Sequence, residues 1–252
     1  MTPRPLIIKT LRFDSLRSTN TELARLAATG APEGLSVVAD EQTAGRGRMQ
    51  RTWSSTKGAG LYFSILLRPV IPLHLWPLLT FMAALAVGDA LLEAFGLPTE
   101  IKWPNDLLAG ERKICGILSE TVESPEGRAV IVGIGVNLTS DAYPEELGCY
   151  ATSVSEQKGS SPDREMLLTS LQSRIARWYE SLQKKDGDTT VLREWISRSP
   201  YADGKLVDVA NGDEVFRGIT RGLEVDGALR VEIANDEIRI VRAGDVVSVR
   251  PT

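Results

Sequence analysis

Nine consecutive residues, Gly45-Arg46-Gly47-Arg48-Met49-Gln50-Arg51-Thr52-Trp53, concentrate the chemistry of this chain. Arginine presents a planar fork of donors suited to phosphate and carboxylate. Glycine lets the backbone bend and turn its N–H groups toward a ligand. Trp53 adds a flat face for a ring. Together they describe an anion-binding loop with an aromatic lid. Three further segments carry compatible groups. Lys102-Trp103-Pro104-Asn105-Asp106 sets a cation, an amide and a carboxylate around a proline that fixes the chain direction. An ordinary turn with Asn-Asp capping chemistry reads equally well. Arg112-Lys113-Ile114-Cys115-Gly116-Ile117-Leu118 places an ammonium at the mouth of an apolar strand, where a solvated strand entry is the plainer reading. Gly133-Ile134-Gly135-Val136-Asn137 offers either close approach for a ligand or a bulge.

Several chemistries are excluded. No G-x-x-x-x-G-K-[ST] occurs, and Gly45-x-Gly47 meets Gln50 where a dinucleotide fingerprint needs glycine. The single histidine, His74, reads as a surface residue at a helix entry, and no metal-ligand cluster is present. Cys115 and Cys149 read as reduced cytosolic thiols, so a cytoplasmic location is expected. With Lys+Arg 29 against Asp+Glu 33, the net charge of -4 offers no field for nucleic acid. No unbroken membrane-length apolar stretch is read from the sequence, so no membrane is expected.

The elements that must position these groups follow from periodicity. Thr19 and Glu22 fit a capping box ahead of Leu23, Leu26 and Ala27. Strands are expected at Leu35 to Ala39, Leu61 to Leu67, Glu100 to Trp103, Lys113 to Val122 and Ala129 to Asn137. Helices are expected at Leu75 to Phe95, stopped by Gly96 and Pro98, then at Met166 to Leu182 and Val191 to Ile196. From Tyr201 short valine-rich runs alternate with turns at Ala202-Asp203-Gly204, Asn211-Gly212, Asp226-Gly227, Asn235-Asp236 and Ala243-Gly244-Asp245. About five strands in so short a span predict a small β-barrel. The pattern is therefore α+β, with a mixed, largely antiparallel sheet packed with helices over 1–200 and a barrel over 201–252.

In this order the motifs resemble biotin protein ligase. The matches are Ser18-Thr19-Asn20, Gln42, the Gly45 to Trp53 loop, Lys102 to Asp106, Arg112 to Leu118, Gly133 to Asn137 and Ala151-Thr152-Ser153-Val154. The terminal region matches through Gly218-Ile219, Gly222, Gly227-Ala228-Leu229 and Gly244-Asp245-Val246. The resemblance implies the biotin–lipoate ligase fold, similar to class II aminoacyl-tRNA synthetases, with an SH3-like terminal barrel. Gln50 stands where the family often has glycine, so another conformation is expected at that bend. Ligase-like sequence begins by about Phe13, which leads us to expect a monofunctional ligase without a DNA-binding segment.

The resemblance also implies two half-reactions. Biotin and ATP would give biotinyl-5′-AMP and pyrophosphate, with Mg2+ on the nucleotide. A lysine of a biotin carboxyl carrier protein would then take the biotinyl group. Ser18, Thr19, Asn20, Gln42, Gly45, Arg46, Gly47, Lys113 and Gly116 would surround biotin. Arg48, Arg51, Trp53, Asn105, Lys113, Asn137 and Ala151 would hold ATP, with Lys102 near the phosphates. Arg48, Lys113, Lys102 and Asp106 would serve the chemistry. Asp106 would either take the incoming lysine's proton or fix Lys102. No protein metal site and no DNA partner are implied, and monomer and homodimer both stay open. A lipoate or octanoate ligase or transferase of the same fold is the near alternative. A nucleic-acid or protein-binding module built on the Arg-Gly loop is the distant one.

Overall fold

A computed structural model of the chain describes residues 5–211, 214–242 and 244–248. Strand β1 (Lys9–Leu16) leads into helix α1 (Thr19–Ala27), then β2 (Leu35–Gln42) and β3 (Gly60–Leu67). Helix α2 (Leu78–Phe95) precedes β4 (Glu100–Lys102), β5 (Asp106–Ala109), β6 (Arg112–Val122) and β7 (Ala129–Asn137). Helices α3 (Val154–Lys158), α4 (Arg164–Leu182) and α5 (Gly187–Ser197) follow. Strands β8 (Asp203–Asn211), β9 (Glu214–Leu223), β10 (Leu229–Glu232), β11 (Ile238–Val241) and β12 (Asp245–Ser248) complete the chain.

Seven strands form one sheet in the order β1-β2-β3-β7-β6-β5-β4. Only β1 and β2 run parallel, so the sheet is mixed and largely antiparallel, as the sequence pattern implies. Alternation divides its residues between two faces. Leu61, Phe63, Ile65 and Leu67 of β3 join Val130, Val132, Ile134 and Val136 of β7 in a core with α2 and α4. Leu66, Val37 and Ile131 pack under α1 on the other face. Both faces of β3 are thus covered, and all eight of its residues are buried rather than alternately exposed.

Helix α2 is apolar on nearly every side, as a largely buried helix must be, with Leu92 and Glu93 near its end left exposed. By length and composition the Leu73–Phe95 segment would suffice to cross a membrane, contrary to the sequence reading. Here it is a core helix, clasped by the sheet, α4 and α5. Gly96 ends it in the left-handed conformation.

Other local expectations yield to tertiary partners. Thr19 lies inside α1 rather than at its cap; its hydroxyl turns to Gln42 Oε1 at 3.1 Å, while Glu22 pairs with Arg25 at 2.6 Å. The expected capping box therefore does not form. Asp203-Gly204 is not a turn but part of β8, where the register shifts and Gly204 takes φ +68. Asp226-Gly227 does turn the chain, with Gly227 N donating to Glu224 O at 2.9 Å. Gly212 and Ala243 of the other predicted turns lie outside the described residues.

The last five strands form a second, antiparallel sheet in the order β11-β10-β9-β8-β12. Among the described residues no pairing joins β11 to β12, so this is an open sheet and not the closed barrel expected. Each edge strand has only four residues, which leaves little ladder for closure. Its Val207, Val209, Leu229 and Val231 belong to the same core as α2. At the junction Phe81 stacks on Trp195 with centroids 4.5 Å apart, and a Cβ at Gly227 would lie 3.1 Å from the Phe81 ring.

That junction is testable. Phe81→Ala should destabilise the fold by about 3–5 kcal/mol, the usual cost of deleting a buried aromatic. Urea unfolding measures it, and a loss below about 1 kcal/mol would show that the Phe81 ring, between Trp195 of α5 and Gly227, adds little to the core there.

Candidate active site: a glycine-floored cleft under the arginine loop

Opposed residues on antiparallel strands share a face of the sheet. Reading across it, Lys102 opposes Asp106, Asp106 opposes Gly116, Gly116 opposes Gly135 and Gly135 opposes Tyr62. Two neighbouring glycines thus leave a gap in a row of side chains, on the face that carries α1. The Trp53 indole lies in that gap. A Cβ at Gly135 would stand 2.5 Å from Trp53 Nε1, and one at Gly116 would stand 2.8 Å from Trp53 Cζ3. The β6–β7 register runs unbroken, so these glycines serve close approach and not a bulge. Gly133 does the same for α1, since a Cβ there would fall 2.2 Å from Asn20 Oδ1.

The start of α1 supplies a fixed polar end. Thr19 N donates to Gln42 Oε1 at 2.8 Å, and Gln42 Nε2 donates to Ser55 Oγ at 2.8 Å. Ser64 Oγ lies 2.6 Å from both Thr19 Oγ1 and Asn20 Oδ1. Asn20 Nδ2 donates to Leu118 O at 3.2 Å and to Glu120 Oε2 at 2.7 Å. Ser18, Thr19 and Asn20 are buried, and with Thr19 and Asn20 pinned by this network they present a rigid wall.

The Arg-Gly loop folds back on itself above the gap. Arg46 bridges Thr52, Gly47 N donates to Arg51 O at 2.7 Å, and Trp53 N donates to Gly45 O at 3.0 Å. A Cβ at Gly45 would sit 2.3 Å from Trp53 O, so only glycine lets the two arms close. At the tip Met49 has φ 53 and Gln50 φ 60. Gln50 thus keeps a left-handed conformation of the kind glycine favours, contrary to the different bend expected, at a cost of about 1–2 kcal/mol. Arg46 pairs with Glu120 at 2.6 Å, and Arg51 pairs with Asp245 of the second sheet.

The cations gather at the other end of the gap. Lys113 Nζ pairs with Asp106 Oδ1 at 2.6 Å and lies 5.3 Å from the Trp53 ring centroid. Arg48 Nη1 donates to Asn105 Oδ1 at 3.3 Å, and Asn105 Nδ2 is held by Ile117 O at 2.8 Å. Burial pushes the Arg48 guanidinium below its usual range, with Arg51 adding and Asp106 opposing. Arginine still keeps its charge. It is therefore a cation partly removed from water beside a neutral amide, a group that gains from an arriving anion.

The resulting cleft encloses about 140 Å³. Of the residues singled out in the sequence, Ser18, Thr19, Asn20, Gln42, Arg46, Gly47, Arg48, Arg51, Trp53, Asn105, Asp106, Lys113 and Gly116 all line it. Four do not. Gly45 closes the loop from behind. Asn137 and Ala151 sit against the backbone of Lys113: Asn137 Nδ2 donates to Lys113 O at 3.4 Å and Thr152 O at 2.9 Å, and Ala151 bridges Lys113 in parallel. They do not join Trp53 in one pocket. Lys102 turns to the Tyr201 ring, 5.7 Å from its centroid, and Asp106 pairs with Lys113 rather than with Lys102.

Comparison with known proteins decides the family. The model of the biotin/lipoate A/B protein ligase family matches residues 12–137. The chain is 34% identical over 243 residues to the biotin--[acetyl-CoA-carboxylase] ligase of Mycobacterium tuberculosis, spanning 92% of this chain and 86% of that protein. This chain belongs to the biotin/lipoate A/B protein ligase family. Within it, the chain sides with the biotin protein ligases and is a ligase. It is also 38% identical over 236 residues to a bifunctional ligase/repressor of Bacillus subtilis, across 92% of this chain and 72% of that protein. The biotin protein ligase from Aquifex aeolicus in complex with biotin and ATP superimposes with a TM-score of 0.82 at 30% identity, over 96% of this chain and 99% of that one.

In this ligase, sequence reasoning overlooks four polar residues that build the site. Ser64 is the one small polar side chain inside the otherwise apolar and aromatic run Leu61 to Leu67, which is a usable signal. Asp245 sits in the matched motif Gly244-Asp245-Val246 without any sign there that it reaches the cleft, and Ser55 and Glu120 carry no signal, because register and loop closure alone bring them in. The floor itself can be tested. Gly135→Ala should lift the indole, moving the Trp53 contribution to the emission spectrum (wild type minus Trp53→Phe) to longer wavelength, with stability held within about 1 kcal/mol. An unchanged difference spectrum would mean that the indole does not rest on this glycine.

Proposed function

We propose that this ligase activates biotin with ATP and passes the biotinyl group to a lysine of a biotin carboxyl carrier protein. The observation that carries the reading is the juxtaposition in one cleft: a rigid polar wall at Ser18, Thr19, Asn20 and Gln42, a glycine floor, and the cations Arg48, Arg51 and Lys113. The wall suits a small ring with hydrogen-bonding edges, and the cations suit two anions brought together. The complexes of the related Aquifex aeolicus enzyme with biotin and ATP support it.

In this reading a biotin carboxylate oxygen bonds to the α-phosphorus of ATP. The bond to the bridging oxygen breaks, and pyrophosphate leaves with the electron pair. Bringing carboxylate and triphosphate to about 4 Å costs on the order of 4 kcal/mol at intermediate dielectric. Arg48 and Lys113 offset that repulsion and gain most as charge gathers in the transition state. Shared positioning on the floor supplies further acceleration. Mg2+ would arrive on the nucleotide phosphates, where it neutralises charge; among the described residues no group of three carboxylate, histidine or cysteine ligands exists to hold it alone. The carrier amine then bonds to the acyl carbon as AMP departs with the electrons of the broken C–O bond. In this reading Asp106, a cleft carboxylate beside Lys113, takes the amine's proton. Arg46, anchored on Glu120, closes the loop over biotin. Cys115 takes no part, since burial pushes its thiol up and out of reactive range.

Biotin-dependent ATP–pyrophosphate exchange tests the reading. Exchange with lipoate but none with biotin would overturn it in favour of a lipoate-specific enzyme. Arg48→Ala should weaken retention of the adenylate by about 1.5–3 kcal/mol, the worth of a charged hydrogen bond. Adenylate release followed by filtration checks this, and wild-type retention would remove Arg48 from its role. Lys113→Ala should abolish adenylate synthesis at ordinary biotin concentrations, and intact synthesis would refute its placement.

A further inference from the structure

We propose that Glu120 is a positioning residue for biotin: its carboxylate fixes the direction of the hydrogen bonds along the polar wall, so that the wall is one hydrogen short where Thr19 and Gln42 meet the ring. The proposal rests on the biotin reading given above. Glu120 does not itself line the cleft and acts through Asn20, which does.

Three observations carry it. First, both ends of the wall have a fixed polarity. One corner of the Asn20 amide meets Glu120 Oε2 at 2.7 Å and Leu118 O at 3.2 Å. Both partners only accept, so that corner is the donor Nδ2 and the other is the acceptor Oδ1. At the far end Gln42 faces the Thr19 N–H at 2.8 Å, which only donates, so Gln42 presents Oε1 there and turns Nε2 to Ser55. Second, two hydroxyls span the distance between these acceptors. Ser64 Oγ lies 2.6 Å from Asn20 Oδ1 and 2.6 Å from Thr19 Oγ1, which lies 3.1 Å from Gln42 Oε1. Each hydroxyl brings one hydrogen, so three gaps share two. The Thr19 hydrogen serves Gln42 or Ser64, but not both. Third, the shortage opens to a ligand in one place. Thr19 and Gln42 line the cleft, whereas Ser64 is fully buried and does not.

The chemistry of the ring fits. The cyclic urea of biotin carries two N–H groups. One of them, set between Thr19 and Gln42, supplies the missing hydrogen and frees Thr19 to serve Ser64. The dithiolane ring of lipoate has no N–H and supplies none. Were Asn20 reversed, its Nδ2 would donate to Ser64, Ser64 to Thr19 and Thr19 to Gln42. Three hydrogens would then fill three gaps, and a ring N–H would meet a wall already satisfied. The Glu120 carboxylate opposes that reversal, because it would set Asn20 Oδ1 against a negative oxygen. The same Oε2 accepts from Arg46 at 2.6 Å, so the residue that directs the wall also anchors the loop.

Titration of the full chain with biotin, and with the two biotins methylated at one or the other urea nitrogen, tests the assignment. Glu120→Gln puts an amide at position 120 that can face Asn20 with oxygen or with hydrogen. The preference for biotin over the more weakly bound methyl form should narrow about three- to tenfold, the worth of one hydrogen bond. A merely structural loss weakens all three ligands alike and leaves that ratio where it was. The narrowing should persist in an Arg46→Ala background. It should be absent in a Ser64→Ala background, where the chain of hydroxyls is already cut. A ratio unmoved by Glu120→Gln overturns the proposal. A narrowing that vanishes with Arg46 overturns it too, and reduces Glu120 to an anchor of the loop. A wild-type chain that shows the preference, and loses it in Glu120→Gln, yet fails in biotin-dependent exchange would sink the activation chemistry and leave Glu120 in its role. Intact exchange with an unmoved ratio does the reverse.

Discussion

The cleft exists because two side chains are missing. Gly116 and Gly135 face each other across β6 and β7, in the middle of a sheet whose other rows are filled. Their absence lets the Trp53 indole settle against backbone, and Trp53 carries the end of the Arg-Gly loop with it. Gly133, one pleat along, admits Asn20 in the same way and so fixes the start of α1. A methyl group at either position would meet an occupied atom well inside van der Waals contact. The unbroken ladder beneath keeps the floor flat while the side chains above it vary.

On that floor the protein gathers positive charge against its overall sign. Each cation is held in a way that an incoming anion can exchange. Lys113 rests on Asp106, Arg46 on Glu120 and Arg51 on Asp245. Arg48 has only a neutral amide, and Lys102 an aromatic ring. Four cations against two carboxylates line the cleft, and such an excess of one sign concentrates ligands of the other. Because these groups are preformed, little reorganisation is left for the moment at which charge moves. The partners also set the closed pose of the loop, since Glu120 belongs to the first sheet and Asp245 to the second.

Segments with strong local signals are legible in the sequence alone. β7 announces itself by a nearly unbroken apolar run and β6 by the shorter run Ile114 to Leu118, α2 by length and its glycine stop, and the loop by residue type. What escaped depended on distant partners. Thr19 abandoned its capping role because Gln42, 23 residues away, offers an acceptor in the folded chain. Asn137 and Ala151 resemble ligand-lining residues in sequence, yet they buttress the Lys113 backbone, because a parallel bridge brings residue 151 beside β6. Gln50 accepted a left-handed backbone because the bonds between Gly47, Arg51 and Arg48 over-determine the tip. Among the described residues the second sheet shows no pairing that closes it, where local turn signals suggested a barrel, since closure depends on edge pairing that no short motif encodes.

The sequence by itself determined the kinds of groups available and their local frame: an arginine-rich loop pinned by glycines, apolar strands that must be buried, and an ordered set of motifs that marks the ligase family. Those properties are short-range, set by side-chain chemistry, backbone freedom and periodicity. Only the tertiary structure decided which groups meet. It placed Lys102, Asp106, Gly116 and Gly135 in one row, set Trp53 on the two glycines, and tied Arg51 to Asp245, 194 residues away. Register and packing are cooperative properties of the whole sheet, so the site's geometry appears only when every strand has found its neighbour.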